Sequence, residues 1–311
     1  MPKRPGHGTI FLLLSLAVLG TGRSLCQQTS TETSKPQARA ARLLMWKATS
    51  PTTTVYLLPS VHVGDKAMYP LPKAIEDAFA SSKALAVEIN AKNLDPLKTM
   101  QMVQAHGTYD EKDGISRHLS KQTLEALDQF CQAHGLPRAA LEELRPWVVA
   151  TVVIATAYQQ AGEDAKLGID MHFLDEAKAQ RIDELETADF QFSLFSSASD
   201  DEQQEMLADA LKNSDKTKDM MKKIQNAYIS GDSTSIQKLL EEENATGPKW
   251  MVKKLIDDRN VTMTERVERY LKGTETCFVV VGAAHIIGEK GMVRLLQDKG
   301  YKIEQVAAGS N

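Results

Sequence analysis

The fold is decided by Thr276-Cys-Phe-Val-Val-Val-Gly-Ala-Ala-His285-Ile-Ile-Gly-Glu-Lys-Gly-Met-Val-Arg-Leu-Leu-Gln-Asp-Lys-Gly-Tyr-Lys-Ile-Glu-Gln-Val306. Cys277 to Val281 is a short apolar run rich in β-branched residues, the mark of a buried strand. Gly282-Ala-Ala removes bulk where the strand ends, and His285 follows. Gly288 and Gly291 bracket a turn into a helix whose apolar side is Val293, Leu295 and Leu296, and Gly300 ends it. Tyr301 to Val306 is a second strand. This βαβ unit carries a histidine at the carboxyl end of its first strand, where open α/β sheets place their ligands.

The first hundred residues echo that unit. Leu43-Leu-Met-Trp-Lys-Ala and Thr54-Val-Tyr-Leu-Leu form a predicted hairpin. Its second strand runs into Pro59-Ser-Val-His62-Val-Gly64. A helix from about Leu71 follows, with Pro72 near its first turn. The next strand, Ala84-Leu-Ala-Val, ends on Glu88. The middle of the chain is largely helical. Ser120 caps a helix that Gly135 stops, and Arg145 to Tyr158 reads as a buried core helix, too short in apolar residues to span a membrane. Gly168-Ile-Asp170 caps a helix from His172 to Ala179, and Arg181 to Thr187 is a short strand ending on Glu186. Phe190 to Tyr228 is polar and helical, and Arg259-Asn260 precedes a helix from Thr264 to Leu271. The fold class expected is α/β: a mixed central sheet formed by N- and C-terminal strand–helix–strand units, with a large helical middle region.

Of the 311 residues, 25% are charged and 42% hydrophobic, as in soluble globular chains. Residues 1–26 are a separate matter. Lys3 and Arg4, an apolar run from Ile10 to Leu19, and small or polar residues after it make a secretory signal peptide. Residues 27–40 read as a flexible linker and 41–308 as one domain. Export, periplasmic or secreted, is therefore expected, with membrane attachment only if Cys26 is lipidated. Lys3, Arg4 and Arg23 fall within the signal, leaving 34 of the 37 basic residues against 41 acidic, a net −7. That excludes a basic footprint for nucleic acid. Cys131 and Cys277 could pair in an exported protein. Cys277 lies in a core strand, however, and favours two buried thiols.

Among the seven histidines, His106, His118 and His134 sit in polar or loop contexts, and His172 at a helix start reads as packing or capping. His62 and His285 stand apart because each directly follows an apolar strand. Glu88 and Glu186 share that logic: an ionised carboxylate at the inner end of a buried strand is costly without a partner, and Arg259, a histidine or a metal could supply one. Two histidines and two glutamates at one sheet edge would suit a divalent metal. The same set could also work without metal, a histidine serving as general base for water.

The chain resembles the TraB/GumN family, which includes the Tiki proteins. The pieces that carry the resemblance run in order: Tyr56-Leu-Leu-Pro-Ser-Val-His62-Val-Gly64, Leu85-Ala-Val-Glu88, Arg145-Pro-Trp147, Gly168-Ile-Asp170, Leu185-Glu186-Thr187, Arg259-Asn260 and Val281-Gly-Ala-Ala-His285-Ile-Ile-Gly288, with Gly291 and Gly300-Tyr301. Tiki proteins resemble metal-dependent proteases, and more distant relatives include haem-binding ChaN-like proteins and erythromycin esterase-like hydrolases. The resemblance implies an exported hydrolase, peptidase-like, acting on a peptide or small-molecule substrate with Mn, Co or Zn. It implies His62, Glu88 and His285 as catalytic residues and metal ligands, with Glu186 a further catalytic candidate. A non-catalytic binder of haem, metal or a small ligand and a degenerate scaffold stay open, as does the oligomeric state. One departure bears on His62: Pro59 stands where the family has the first glycine of its Gly-x-x-His motif. If that turn needs a glycine-only conformation, His62 is displaced; if φ near −65° serves, nothing changes.

Overall fold

The structure, a computed structural model, describes residues 42–308. The expected signal peptide, the expected linker and Cys26 lie outside the described residues. The domain is built on a six-stranded mixed sheet in the order β4-β3-β5-β2-β1-β6. The strands are β1 (Arg42–Thr49), β2 (Thr54–Ser60), β3 (Ala84–Val87), β4 (Arg181–Glu184), β5 (Cys277–Gly282) and β6 (Lys302–Ala307). β1 and β2 form the expected hairpin, and β6 pairs antiparallel with β1. β2, β5, β3 and β4 run parallel side by side.

The two strand–helix–strand units are thus interleaved rather than stacked end to end. β5 lies between β2 and β3, and the register sets Ser60 opposite Gly282. β5 is buried along its whole length, as a central parallel strand must be. The two edge strands are marked by charge instead. β4 is Arg-Ile-Asp-Glu, and β6 alternates exposed Lys302, Glu304 with half-buried residues. Short, charged edges discourage pairing with another chain.

α1 (Lys73–Ala80) links β2 to β3. Between β3 and β4 come α2 (Pro96–His106), α3 (Lys121–His134), α4 (Pro146–Ala161) and α5 (Ile169–Glu176). Between β4 and β5 come α6 (Ala188–Ser196), α7 (Asp200–Asn213), α8 (Thr217–Ser230), α9 (Ser233–Thr246), α10 (Lys249–Met251) and α11 (Asp258–Leu271). α12 (Ala283–Ile286) and α13 (Met292–Asp298) link β5 to β6. Among the described residues, no helix is long and apolar enough to cross a membrane.

Phe278 of β5 meets Phe79 of α1 and Phe173 of α5, with ring centroids 5.5 and 4.9 Å away. Burying each ring is worth about 1.5–3 kcal/mol. Together they lock α5, and with it Asp170, against the centre of the sheet. Cys131 and Cys277 are buried free thiols.

Three local expectations are corrected. Asp170 lies inside the first turn of α5, not before it. Arg259 and Asn260 belong to the first turn of α11, because a wide π-helical turn over Val252–Asp257 carries the helix back to them. His285 sits within the short helix α12, not in an open turn.

Candidate functional site

All four predicted residues follow neighbouring parallel strands: His62 after β2, His285 after β5, Glu88 after β3 and Glu186 after β4. His62, His285 and Glu88 converge. Glu88 Oε1 lies 3.7 Å from His62 Nε2 and 3.8 Å from His285 Nε2. The same oxygen accepts the Gly282 N–H at 2.8 Å. Glu186 stands behind this group. Its carboxylate accepts Arg259 Nη2 at 2.6 Å and Gln191 Nε2 at 2.9 Å, while Arg259 Nη2 also donates to Glu88 Oε2 at 2.5 Å. Arg259 therefore bridges the two carboxylates, and its Nη1 donates to Leu255 O in the π-helical turn. Glu186 anchors the arginine; no contact joins it to either histidine.

Each imidazole is held from behind by a different helix. Asn260 Nδ2 donates to Lys290 O at 2.8 Å, which turns Asn260 Oδ1 toward His285 Nδ1, 2.6 Å away. Nδ1 must then carry the proton, and the neutral ring presents a bare Nε2 to Glu88. His62 Nδ1 faces Asp170 Oδ1 at 3.2 Å, a charge contact not aligned as a hydrogen bond. Asp170 Oδ1 is itself fixed by the Ser60 hydroxyl at 2.7 Å. Gly168 makes this approach possible, since a Cβ there would lie 2.5 Å from His62 O.

The charge states follow from these partners. Burial works against a charge on His62, but Asp170 and Glu88 outweigh it and push its pKa up to about 9. At His285 burial and Arg259 together pull the pKa down to about 3. Burial also opposes the Glu88 charge; the facing His285, Arg259, His62 and the Gly282 amide hold it well below the usual carboxylate range. Since His285 itself stays neutral, the cations in that set are Arg259 and His62.

Pro59 does not displace His62. It stands inside β2 opposite Val281, beyond Leu57, the last β2 residue paired with β1. Proline is tolerated where a strand lacks a neighbour on one side. Among the described residues, no non-glycine residue has a positive φ.

The site can be tested for a divalent cation on its donor chemistry. Two imidazoles and a carboxylate are a known donor set for catalytic zinc. Each ring has its second nitrogen beside a polar partner, hydrogen-bonded to Asn260 at His285 and in charge contact with Asp170 at His62. Gly282 keeps the space between them open, because a Cβ there would lie 3.1 Å from His62 Nε2 and 3.2 Å from Glu88 Oε1. Two carboxylates, Glu88 and Glu186, share the single Arg259 guanidinium, while Asp170 pairs with His62. The donors fit a cation in kind, but they are not drawn together as a finished centre: among the described residues no three His, Cys, Asp or Glu side chains stand in an arrangement that holds one.

The remaining histidines stand elsewhere. His118 pairs with Asp113 and His172 with Glu76. The orienting residues Asp170 and Asn260 carried no signal of their role beyond their place in the short motifs.

The model of the TraB/PrgY/gumN family matches residues 44–305. The uncharacterized protein YbaP of Escherichia coli K12 is 24% identical over 245 residues, covering 78% of this chain and 87% of that one. An uncharacterized protein of Treponema pallidum is 20% identical over 268 residues, covering 82% of this chain and 80% of its own length. No solved structure matches.

Proposed function

This chain belongs to the TraB/PrgY/gumN family, and from that premise we propose that it is an exported hydrolase, peptidase-like, with its reaction centre at His62, Glu88 and His285. The observation that carries the proposal is the convergence of two imidazole Nε2 atoms on one carboxylate oxygen, across a hollow that Gly282 keeps open. A bare nitrogen facing an ionised oxygen is stable only with a proton donor or a cation between them. His62, once it gives up the proton it carries in the cation-free site, would hold a divalent cation, Mn, Co or Zn, together with Glu88 and His285, and the cation would supply Lewis acidity and a more acidic bound water.

The chain's own groups supply the rest. Asn260 fixes the His285 tautomer, so Nε2 is always the free atom. A ring with a pKa near 3 is a weak base, which suits it to ligation rather than to carrying a proton. Arg259 and the Gly282 amide keep Glu88 ionised and pointed at the hollow. His62 is the most exposed of the three, its side chain 14% accessible, and marks the side from which substrate and water arrive. With His62 reaching the cluster, Pro59 no longer favours a degenerate scaffold.

The test is metal binding and peptide hydrolysis by the purified chain. Mn²⁺, Co²⁺ and Zn²⁺ are titrated by calorimetry, and a generic peptide library is then assayed with and without chelator. Expected are about one bound ion per chain and chelator-sensitive cleavage, both lost in His285→Ala. Cleavage unchanged in His285→Ala and Glu88→Ala would overturn the proposal.

A further inference from the structure

Beside the histidine and glutamate cluster a small pocket of about 30 Å³ opens, and its floor is the site itself: Ser60, His62, Gly282 and Ala283. Its walls come from the helical middle of the chain. α4 supplies Tyr158, α8 supplies Ile224, and α9 supplies Ile236, Leu239 and Leu240. The four aliphatic side chains carry no hydrogen-bonding group, so the Tyr158 hydroxyl is the one polar side-chain atom among the wall residues. Substrate pockets commonly pair such a wall with a few polar groups at one end, and here the polar end is the reaction centre.

We infer that this pocket binds a small aliphatic side chain of the substrate, next to the bond that is cut, and so sets the enzyme's specificity. The inference rests on the proposed hydrolase. It goes further by naming the substrate class: a peptide or acyl compound with an alanine- to valine-sized group beside the scissile bond. The pocket's size excludes aromatic rings, and its wall offers no opposite charge to a charged group. Within such a pocket one methylene changes the preference by roughly 10- to 200-fold.

Leu239 is the residue to vary, because it lines the pocket but is only half-buried, so trimming it spares the core. Two measurements separate failure of this inference from failure of the hydrolase. In the first, methyl NMR spectra of the protein are recorded with increasing isobutanol, which needs no turnover. Shifts confined to the pocket methyls of Val61, Val63, Ile224, Ile236, Leu239 and Leu240 are expected. In the second, peptides differing only in the side chain beside the cut are compared. A preference of tenfold or more for alanine or valine over phenylalanine or lysine is expected, with Leu239→Ala moving the optimum toward leucine. The inference is overturned if isobutanol leaves those methyls unshifted. It is also overturned if cleavage is equal across the side chains, even with the hydrolase itself sound. Leu239→Ala with an unmoved optimum and a native circular dichroism spectrum overturns it too.

Discussion

β2 and β5 lie side by side, pair Ser60 with Gly282, and each delivers a histidine to the same oxygen of Glu88. Their backbones do nearly the same thing, but their electrostatics are opposite. At the end of β2 the ring is backed by a carboxylate, Asp170, and its pKa rises to about 9. At the end of β5 it is backed by an amide, Asn260, beside the Arg259 charge, and its pKa falls to about 3. Strand position brings a histidine to the site; the helix behind it decides what that histidine carries. Environments that push two titratable groups apart are the usual sign of divided roles in one reaction centre.

The most severe way to break the comparison is to remove the oxygen that both histidines share. Glu88→Ala is expected to abolish hydrolysis and to destabilise the fold by about 3 kcal/mol, read from urea unfolding. That lies at the low end for stripping a partner from a buried charge, because Arg259 keeps Glu186.

Next in size is the pH dependence of stability in the cation-free protein, where the two rings act in opposite windows. The folded-state pKa of His62 is raised, so its contribution is complete below about pH 6.5 and is lost as pH climbs through about 9. That of His285 is depressed, so the unfolded chain takes up its proton first, and stability falls as pH drops from about 6.5 toward 3. The two windows span on the order of 3 and 5 kcal/mol respectively. Urea midpoints measured from pH 4 to 10 should peak near 6.5. A curve flat from pH 6 to 9 would show that His62 is not paired as described.

Gly282→Ala tests the hollow between the two units without substituting either histidine. The φ of −49° suits alanine, but the new Cβ would crowd His62 and Glu88. Hydrolysis should drop about 100-fold, roughly 2.7 kcal/mol of barrier, while the melting temperature moves little. The gentlest test exchanges the orienting groups. Asp170→Asn should lower the His62 pKa, and Asn260→Asp should raise that of His285, each by about one unit, seen in the ring C–H shifts by NMR. If neither ring responds, the difference between the units lies elsewhere than in their helices.

Much of this site is legible in the sequence because strand ends are. The apolar runs before His62, Glu88, Glu186 and His285 place them at the carboxyl edges of strands, and parallel strands share that edge. Their partners are another matter. Asp170 reads as a helix cap, and Asn260 as a residue before a helix. Only the strand order brings α5 and α11 behind the two rings. Glu186 has the same sequence signal as Glu88, yet it backs an arginine, because β4 stands one strand further from β5. Residues 181–184 look like a strand; nothing local says which neighbour they take.

The place of β5 in the sheet has a consequence for the order of events in synthesis. β2 and β3 flank it and never touch one another, so before it arrives a gap of about two strand spacings, close to 10 Å, separates their positions. Residues 277–282 are made only after some nine-tenths of the chain. His62 and Glu88 are synthesised early, yet they face one another only across a strand from the far end. A ribosome-bound chain thus holds His62 and Glu88 of the candidate site well before the strand that sits between them is made. The central strand β5 is also the one that completes the candidate site.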